Sequence, residues 1–391
     1  MEFTKSTVIG VIGSGAMGAG IAQVAATSGH RVVLFDSNNK ALEKSKNNLS
    51  ITLEKLIEKG KIDQETAQNI FKRIVFAHDM DSFKNCGIVI EAIVENLDVK
   101  QAVFHHVETI VTEDCVLASN TSSLSIASIA SACEKPQRVL GIHFFNPAPV
   151  MPLVEIIPAI STNEVLLIET KKLIDSWGKT TVLAKDTPGF IVNRIARPFY
   201  SEAIRIHEEG IADFATIDWA MKEIGGFRMG PFELMDFIGN DINYKVTETI
   251  WEQFFYDPRY KPSLTQKRLF EAKHFGKKAG KGYYDYSPNA IVLNPDKNFE
   301  KAEAIFLRIF AMLVNEAADA LFWQVASKED IDLAMVKGVN YPKGLLSWAD
   351  EIGLDKVVNL MENLRKEYNE DRYRTSTLLK QMLKNGINFY S

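Results

Sequence analysis

The sequence has little of several features that mark whole classes of protein. Its 391 residues include only three cysteines, Cys86, Cys115 and Cys133, which are widely spaced and form no CxxC pair. This excludes a disulfide scaffold, and we expect reduced thiols and no metal site. No apolar run is long enough to span a membrane, and no secretory or transit segment is recognisable at the start. We therefore expect a cytoplasmic protein with no membrane partner.

The sequence also has no excess of positive charge. Its 45 Lys and Arg residues stand against 50 Asp and Glu residues, and the formal net charge is −5. Bulk nucleic-acid binding needs a basic footprint, so nucleic acid is not an expected partner. The hydrophobic fraction of 46% and the charged fraction of 24% are typical of a globular protein, and the length predicts two or three domains.

A glycine-rich turn follows the first apolar run of the chain. Residues 7–12 read TVIGVI, and the turn Gly13-Ser14-Gly15-Ala16-Met17-Gly18 leads into a small, apolar helical stretch. A second β-rich run, 31–35, ends at Asp36. In this order the first glycine permits a tight turn, the second leaves room for a pyrophosphate, and the third lets the helix pack on the strand. The pattern predicts a dinucleotide site at Gly13, Gly15, Ala16, Met17, Gly18 and Asp36.

Asp36 and the helix start predict which dinucleotide binds. The N-terminus of a helix offers free N–H groups and a positive dipole end to phosphates. Asp36 would accept hydrogen bonds from ribose hydroxyls and repel a 2′-phosphate, and no arginine follows it immediately. We therefore predict NAD rather than NADP. A glycine-rich turn in an unrelated α/β protein is the alternative.

Further β-rich runs alternate with helical stretches in this part of the chain. They lie at 74–77, 87–93, 115–118 and 138–145. This alternation predicts a Rossmann-like, doubly wound parallel sheet of the α/β class. Ligands of such sheets bind outside the carboxyl ends of the strands, so chemically active side chains are expected directly after each run.

His143 and Glu155 are the candidate catalytic pair. Of the seven histidines only His143 lies at the carboxyl end of a predicted strand, beside a Pro-rich turn. Glu155 stands alone in an apolar run, and a buried carboxylate needs a partner. Such a carboxylate would fix the imidazole tautomer and raise the basicity of the other ring nitrogen. A solvated Glu on an edge strand and a loop His are the alternative.

Several spaced motifs together resemble the L-3-hydroxyacyl-CoA dehydrogenase family. They are HFFNP at 143–147 with LVE at 153–155, SNTSSL at 119–124, DTPGFIVNR at 186–194 and GKKAGKGYY at 276–284. The resemblance runs from about residue 6 to residue 286. It implies an NAD-dependent dehydrogenase that oxidises L-3-hydroxyacyl-CoA to 3-oxoacyl-CoA, and the reverse, in fatty acid metabolism.

The resemblance also implies roles for individual residues. His143 would be the general base, Glu155 would orient it, and Ser122 and Asn193 would hydrogen-bond the substrate oxygen. The positions that contact NAD in the family correspond to Glu95, Lys100, Asn146 and Lys278. The positions that contact CoA correspond to Ser122, Lys55 and Lys59.

Some of these residues have simpler structural explanations. Ser122 could cap the helix predicted to begin near Leu124, and Asn193 could cap or cross-link the helix predicted over 195–209. Lys55 and Lys59 could belong to a solvated helix face, as charge runs usually do.

The C-terminal part of the chain repeats itself at a spacing of 114 residues. Across the 48 positions from 194 to 241, fourteen residues are identical to those 114 positions later, without a gap. This predicts a duplicated helical domain. Asn193 corresponds to Leu307, so the second copy lacks the catalytic amide and we expect it to be structural. We expect it to pack on the first copy within the chain, as a monomer or homodimer.

The predicted organisation has three domains. They are an NAD-binding Rossmann domain over 1–186 and two all-α domains related by duplication, over 187–286 and 287–391. The stretch 286–297 is rich in Pro and Asn and is the predicted linker. An independent appended module is the alternative for the second copy.

Two other functions remain open beside the acyl-CoA dehydrogenase. One is a sugar-acid 3-dehydrogenase of the gulonate type, and the other is a catalytically silent, crystallin-like relative. Phe144-Phe145 and the basic helix near Lys55 favour a CoA substrate, and the complete catalytic set argues against a silent protein. Enoyl-CoA hydratase is the expected pathway partner, as a separate chain.

Overall fold

The computed structural model describes residues 2–390 of the chain. The chain divides between Thr187 and Pro188 into two compact units. The first unit contains the β-sheet and its flanking helices, and the second is helical. The amino-acid sequence predicted an α/β fold followed by a helical region, and this prediction is confirmed.

The first unit is built on one eight-stranded sheet with the order β3-β2-β1-β4-β5-β6-β7-β8. Its strands are β1 (Ile9–Ile12), β2 (Val32–Phe35), β3 (Ile74–Ala77), β4 (Ile88–Glu91), β5 (Val116–Ser119), β6 (Val139–Phe144), β7 (Leu153–Pro158) and β8 (Thr180–Leu183). Strands β1, β4, β5 and β6 are buried along their whole length. Burial on both faces explains why they read as continuous apolar runs.

One strand departs from the predicted all-parallel sheet. Strand β7 runs antiparallel to β6, whereas β8, which the sequence did not indicate, is parallel to β7. Only residues 145–152 connect β6 to β7. A parallel crossover needs about a dozen residues or more, so this short connection makes the chain turn back beside β6.

Helices cover both faces of this sheet. They are α1 (Ala16–Thr27), α2 (Asn39–Glu58), α3 (Gln64–Arg73), α4 (Leu97–Glu108), α5 (Ile126–Ala130) and α6 (Glu164–Ser176). Asn38, Asp63, Asn96 and Asn163 cap α2, α3, α4 and α6 with their side-chain oxygens. Such caps satisfy N–H groups that the first helical turn leaves without partners.

The second unit contains both copies of the repeat. The first copy holds α7 (Val192–Ile195), α8 (Arg197–Glu208), α9 (Phe214–Glu223), α10 (Pro231–Ile238), α11 (Asn240–Gln253) and α12 (Leu264–Glu271). The second copy holds α13 (Phe299–Phe322), α14 (Lys328–Val339), α15 (Leu345–Ile352), α16 (Leu354–Tyr368) and α17 (Thr377–Asn385). The predicted linker, 286–297, contains neither helix nor strand.

Each copy places a buried aspartate at the start of an equivalent helix. Asp218 accepts the N–H groups of Phe232 and Glu233 in α10, both at 2.9 Å. Its equivalent 114 residues later, Asp332, accepts two N–H groups of α15 at 2.8 and 2.9 Å. The equivalent glycines Gly239 and Gly353 both have positive φ, 106° and 104°. The repeat seen in the sequence is therefore also a repeat of local geometry.

The two copies pack on each other through reciprocal ion pairs. Arg194 donates through Nε to Glu316 at 2.6 Å, and Arg308 donates through Nε to Glu202 at 2.7 Å. Residues 194 and 308, and residues 202 and 316, are equivalent positions of the repeat. A contact in which i meets j and j meets i is typical of a twofold interface. The second copy thus faces the first as one subunit faces another in a symmetric dimer.

No helix within residues 2–390 combines the length and apolar character needed to cross a bilayer. Over the same residues, no cluster of three His, Cys, Asp or Glu side chains is arranged to hold a metal ion. Cys86, Cys115 and Cys133 are buried free thiols.

Candidate active site

The glycine-rich turn forms an open cradle at the start of α1. Gly13 has φ +97°, and a Cβ on Gly18 would stand 1.8 Å from the Gly13 carbonyl oxygen. A Cβ on Gly15 would meet no atom within 4 Å. The first turn of α1 has no acidic residue and no capping side chain. The N–H groups of this helix N-terminus are therefore suited to a phosphate.

Asp36 is fixed beside this cradle, directly after β2. One carboxylate oxygen accepts the N–H and Oγ–H of Ser14 at 2.7 and 2.9 Å, and the other accepts the N–H of Asn38 at 2.9 Å. An ionised carboxylate has about four acceptor positions, so capacity remains for a ribose hydroxyl. The turn and Asp36 together fit an adenine dinucleotide.

Alanine substitutions at two of these glycines are expected to affect different properties, stability at Gly18 and NAD binding at Gly15. Gly18→Ala is expected to lower the free energy of unfolding by about 1–3 kcal/mol, because its Cβ overlaps the Gly13 carbonyl. Gly15→Ala is expected to change it by less than about 1 kcal/mol but to weaken NAD binding, because the methyl group enters the cradle. Chemical denaturation and calorimetric NAD titration measure both. Unchanged NAD affinity in Gly15→Ala would contradict the assigned position of the pyrophosphate.

His143 and Glu155 face each other across β6 and β7. They are register partners in the antiparallel pair, which places both side chains on one face of the sheet. His143 Nδ1 lies 2.7 Å from Glu155 Oε2, and Glu155 is fully buried. A carboxylate facing Nδ1 in this way favours the imidazole tautomer with the proton on Nδ1, which leaves the lone pair on Nε2. This arrangement can take a proton from an alcohol.

The serine loop after β5 is organised around Glu95. The Glu95 carboxylate accepts Thr121 Oγ–H at 2.5 Å, Ser122 N–H at 3.0 Å and Ser123 Oγ–H at 3.1 Å. Partial burial by itself raises the pKa of Glu95, but the Lys100 charge and these hydrogen bonds outweigh it and lower the pKa. Glu95 is therefore ionised at neutral pH and fixes the backbone at Ser122.

Lys100 connects this loop to β4. It is 1% exposed, and its ammonium lies 2.6 Å from Glu91 and 3.3 Å from Glu95. Glu91 also accepts Ser119 Oγ–H at 2.7 Å, at the end of β5. The sequence predicted Lys100 and Glu95 as NAD contacts. In the structure they also hold the ends of β4 and β5 and the serine loop together.

The capping alternatives for Ser122 and Asn193 are wrong. Helix α5 begins at Ile126, and its cap is Ser125, which accepts the N–H of Ser128. Asn193 lies inside α7, and the cap positions of α7 and α8 are Ile191 and Ala196. Ser122 and Asn193 are therefore not explained as helix caps.

The remaining predicted site residues are Asn146, Lys55, Lys59 and Lys278. Asn146 is exposed in the turn after β6. Lys55 and Lys59 are exposed at the end of α2, as the solvated-face alternative describes. Lys278 belongs to the second unit and pairs with Asp241 at 2.6 Å. The local geometry of these residues assigns them no ligand.

Two positioning residues were not identified from the sequence. Asn120 accepts the N–H of Phe144 at 2.8 Å and so connects the end of β5 to the strand end beside His143. Asp186 accepts N–H groups of Ile126 and Ala127 at 3.0 and 2.8 Å and so holds the start of α5. Asn120 lies within the SNTSSL motif and Asp186 within the DTPGFIVNR motif. Their membership of these motifs was the sequence signal that could have identified them.

The fold and the site together define an NAD-dependent dehydrogenase class, with a dinucleotide cradle and a buried His–Glu pair on one sheet. The model of the 3-hydroxyacyl-CoA dehydrogenase NAD binding domain matches residues 8–187. The model of the 3-hydroxyacyl-CoA dehydrogenase C-terminal domain matches residues 189–286 and again residues 305–388. The chain belongs to the 3-hydroxyacyl-CoA dehydrogenase family.

Individual relatives differ in how much of the chain they cover. The 3-hydroxyadipyl-CoA dehydrogenase of Escherichia coli K12 is 36% identical over 95% of this chain and 96% of its own length. Human mitochondrial hydroxyacyl-coenzyme A dehydrogenase is 43% identical over 71% of this chain and 90% of its own. The crystal structure of 3-hydroxybutyryl-CoA dehydrogenase from E. coli K12 matches with a TM-score of 0.91 and 36% identity, over 98% of this chain and 100% of that one. Both E. coli matches extend through the second copy.

Proposed function

We propose that this protein catalyses the NAD-dependent oxidation of L-3-hydroxyacyl-CoA to 3-oxoacyl-CoA, and the reverse, in fatty acid metabolism. The observation that carries the proposal is the buried His143–Glu155 pair, with Nδ1 and Oε2 2.7 Å apart, on the sheet that holds the dinucleotide cradle. Membership of the family supports the same reaction.

The proton steps belong to the His–Glu pair. His143 accepts the proton of the substrate 3-hydroxyl at Nε2, and it returns that proton in the reverse direction. Glu155 keeps the proton on Nδ1 beforehand and stabilises the imidazolium afterwards. Ser122 and Asn193 hydrogen-bond the oxygen on C3. NAD, when bound, supplies the hydride acceptor.

Most of the residues that would hold the cofactor belong to the first unit. The N–H groups at Gly15, Ala16 and Met17 would hold the pyrophosphate, and Asp36 would bind the adenosine ribose. The same carboxylate disfavours a 2′-phosphate and so selects NAD over NADP. Glu95, Lys100, Asn146 and Lys278 remain the proposed further contacts.

Membership of the family does not determine which acyl group the substrate carries. Of the relatives described above, one is named for a 3-hydroxyadipyl and one for a 3-hydroxybutyryl thioester. We propose that Ser122, Lys55 and Lys59 contact the CoA moiety.

The organisation of the protein is proposed as the sequence predicted it, with domains over 1–186, 187–286 and 287–391. We further propose that it is a cytoplasmic monomer or homodimer, and that a separate enoyl-CoA hydratase supplies its substrate.

The proposed reaction is tested by following NADH absorbance with acetoacetyl-CoA. We expect rapid oxidation of NADH, slower oxidation of NADPH because of Asp36, and no reaction with free acetoacetate. Oxidation of gulonate with NAD, together with inert acyl-CoA thioesters, would instead support a sugar-acid dehydrogenase. A protein that binds NAD but turns over neither substrate would be a silent relative.

A further inference from the structure

One buried guanidinium of the second unit lacks an acidic partner. Five arginines are buried in the part of the chain that the structure describes, namely Arg138, Arg194, Arg197, Arg259 and Arg308. Four of them form ion pairs with Glu or Asp side chains. Arg197 is 5% exposed. It forms no ion pair with a carboxylate within residues 2–390, and the titratable groups that act on it are the phenols of Tyr200 and Tyr341. Its charge is therefore not neutralised by these residues.

The contacts of Arg197 are polar or aromatic but uncharged. Its Nε–H donates to the Asn193 carbonyl at 2.8 Å, and an Nη1–H donates to Thr247 Oγ1 at 3.0 Å. The guanidinium carbon lies 5.0 Å from the centre of the Tyr200 ring. Burying a cation without an anion is unfavourable for folding, so packing alone does not account for this residue. A bound anionic ligand would account for it.

A second group in the same region also lacks a partner. The Tyr341 hydroxyl is buried, and no hydrogen-bond partner for it exists among the described residues. Burial raises the pKa of Tyr341, while the Arg197 charge acts in the opposite direction. The phenol is therefore an O–H donor at neutral pH. Buried hydroxyls in native proteins almost always have a partner, so this one indicates a water or a ligand oxygen.

Arg197 stands one helical turn beyond Asn193. Ala196 joins α7 to α8 with helical backbone angles, φ −75° and ψ −9°. Residues four apart share one helix face and lie about 6 Å apart along the axis. In a six-carbon dicarboxylic acyl group the terminal carboxyl carbon lies about 4 Å from C3 by standard bond lengths. If Asn193 holds the oxygen on C3, a carboxylate at Arg197 is within the reach of such a chain.

We propose that Arg197 and Tyr341 bind a terminal carboxylate of the acyl group, so that the preferred substrates are 3-hydroxyacyl-CoA thioesters of dicarboxylic acids. The proposal rests on the function proposed above, because it takes the role of Asn193 from there. A guanidinium and a hydroxyl offer charge-assisted hydrogen bonds to both carboxylate oxygens. Tyr341 belongs to the second copy, so this copy contributes a substrate contact in addition to its structural role.

The test compares two thioesters of equal chain length, 3-hydroxyadipyl-CoA and 3-hydroxyhexanoyl-CoA. For the parent protein we expect kcat/KM to favour the dicarboxylate by about 100-fold. Arg197→Met is expected to abolish most of this preference for the dicarboxylate. Arg197→Lys is expected to keep part of the preference, because the positive charge remains. Tyr341→Phe is expected to lower the ratio by about tenfold, since it removes one hydrogen bond to a charged group.

Arg205→Met is the matched control. Arg205 lies on the same helix and pairs with Glu370, so its removal should leave the ratio unchanged. Thermal unfolding verifies that each variant is folded. Equal loss of both activities in Arg197→Met would overturn the proposal, because it would show that Arg197 only supports Asn193. A parent protein without preference would overturn it as well.

Binding provides a readout that does not depend on turnover. Adipyl-CoA and hexanoyl-CoA lack the 3-hydroxyl and can be titrated calorimetrically against the parent protein and Arg197→Met. Tighter binding of adipyl-CoA that disappears in Arg197→Met supports the proposal, and equal binding contradicts it. If neither 3-hydroxyacyl thioester is oxidised, the proposed function fails, and this titration still decides the carboxylate site.

Discussion

Replacement of His143 by glutamine is expected to lower kcat for 3-hydroxyacyl-CoA oxidation by about 10²–10⁴-fold. Glutamine approximates the size of the imidazole but cannot take a proton from the substrate hydroxyl. Glu155→Gln is expected to have a smaller effect in the same direction, because the base remains but its imidazolium loses the buried carboxylate at 2.7 Å. Steady-state kinetics with 3-hydroxybutyryl-CoA and NAD measure both effects.

His106→Gln is the control for this experiment. His106 is exposed on α4, so its substitution should leave kcat unchanged. NAD affinity measured by calorimetry should be the same in all three variants, since the dinucleotide cradle is formed by residues 13–18 and Asp36. If His143→Gln retained more than a tenth of the parent kcat, another group would have to be the base.

The largest effect on stability is expected at Glu316. Its fully buried carboxylate on α13 accepts Arg194 Nε–H and Tyr260 Oη–H, both at 2.6 Å, and Arg259 Nη1–H at 3.2 Å. Glu316→Gln leaves the Arg194 guanidinium buried without its main anion. Loss of one member of a buried pair costs about 3–5 kcal/mol, which chemical denaturation measures.

The same carboxylate predicts acid sensitivity. Burial by itself raises the pKa of Glu316, but the charges of Arg194 and Arg259 outweigh it and lower the pKa below its ordinary value of 4.5. A group with a lowered pKa in the folded state stabilises the protein above its unfolded pKa. That contribution is lost as the pH falls below about 4.5. Glu316→Gln should therefore show a smaller loss of stability in this range than the parent protein.

Two variants separate this ion pair from general effects on the helix. Glu303→Gln changes an exposed residue of α13 and is expected to alter stability by less than about 0.5 kcal/mol. Glu202→Gln changes the equivalent residue of the first copy, which accepts from Arg308 at 2.7 Å, and should destabilise in the same direction as Glu316→Gln. Equal stability of Glu316→Gln and Glu303→Gln would show that the reciprocal pairs do not hold the two copies together.

The sequence alone was sufficient for the features that rest on local order. The glycine turn, the strand after it and Asp36 lie within a short segment, so their spacing defines the dinucleotide unit. The 114-residue repeat was readable because the duplication is free of gaps over the matched positions. His143 was identifiable because strand ends are marked by the change from apolar to turn-forming residues.

Only the tertiary structure decided how distant residues meet. The reversal of β7 sets Glu155 opposite His143, and it follows from a short connection rather than from the pattern of either strand. Glu95 and Lys100 were expected at the cofactor, but their positions show that they also organise the serine loop.

The same holds for the buried charges of the helical unit. In the sequence Arg194, Arg197 and Arg308 are similar residues on amphipathic helices. The fold gives Arg194 and Arg308 a glutamate from the opposite copy, whereas it surrounds Arg197 with a carbonyl, a hydroxyl and an aromatic ring. Periodicity determines which face of a helix is buried, but the partner of a buried charge depends on which other helix packs there.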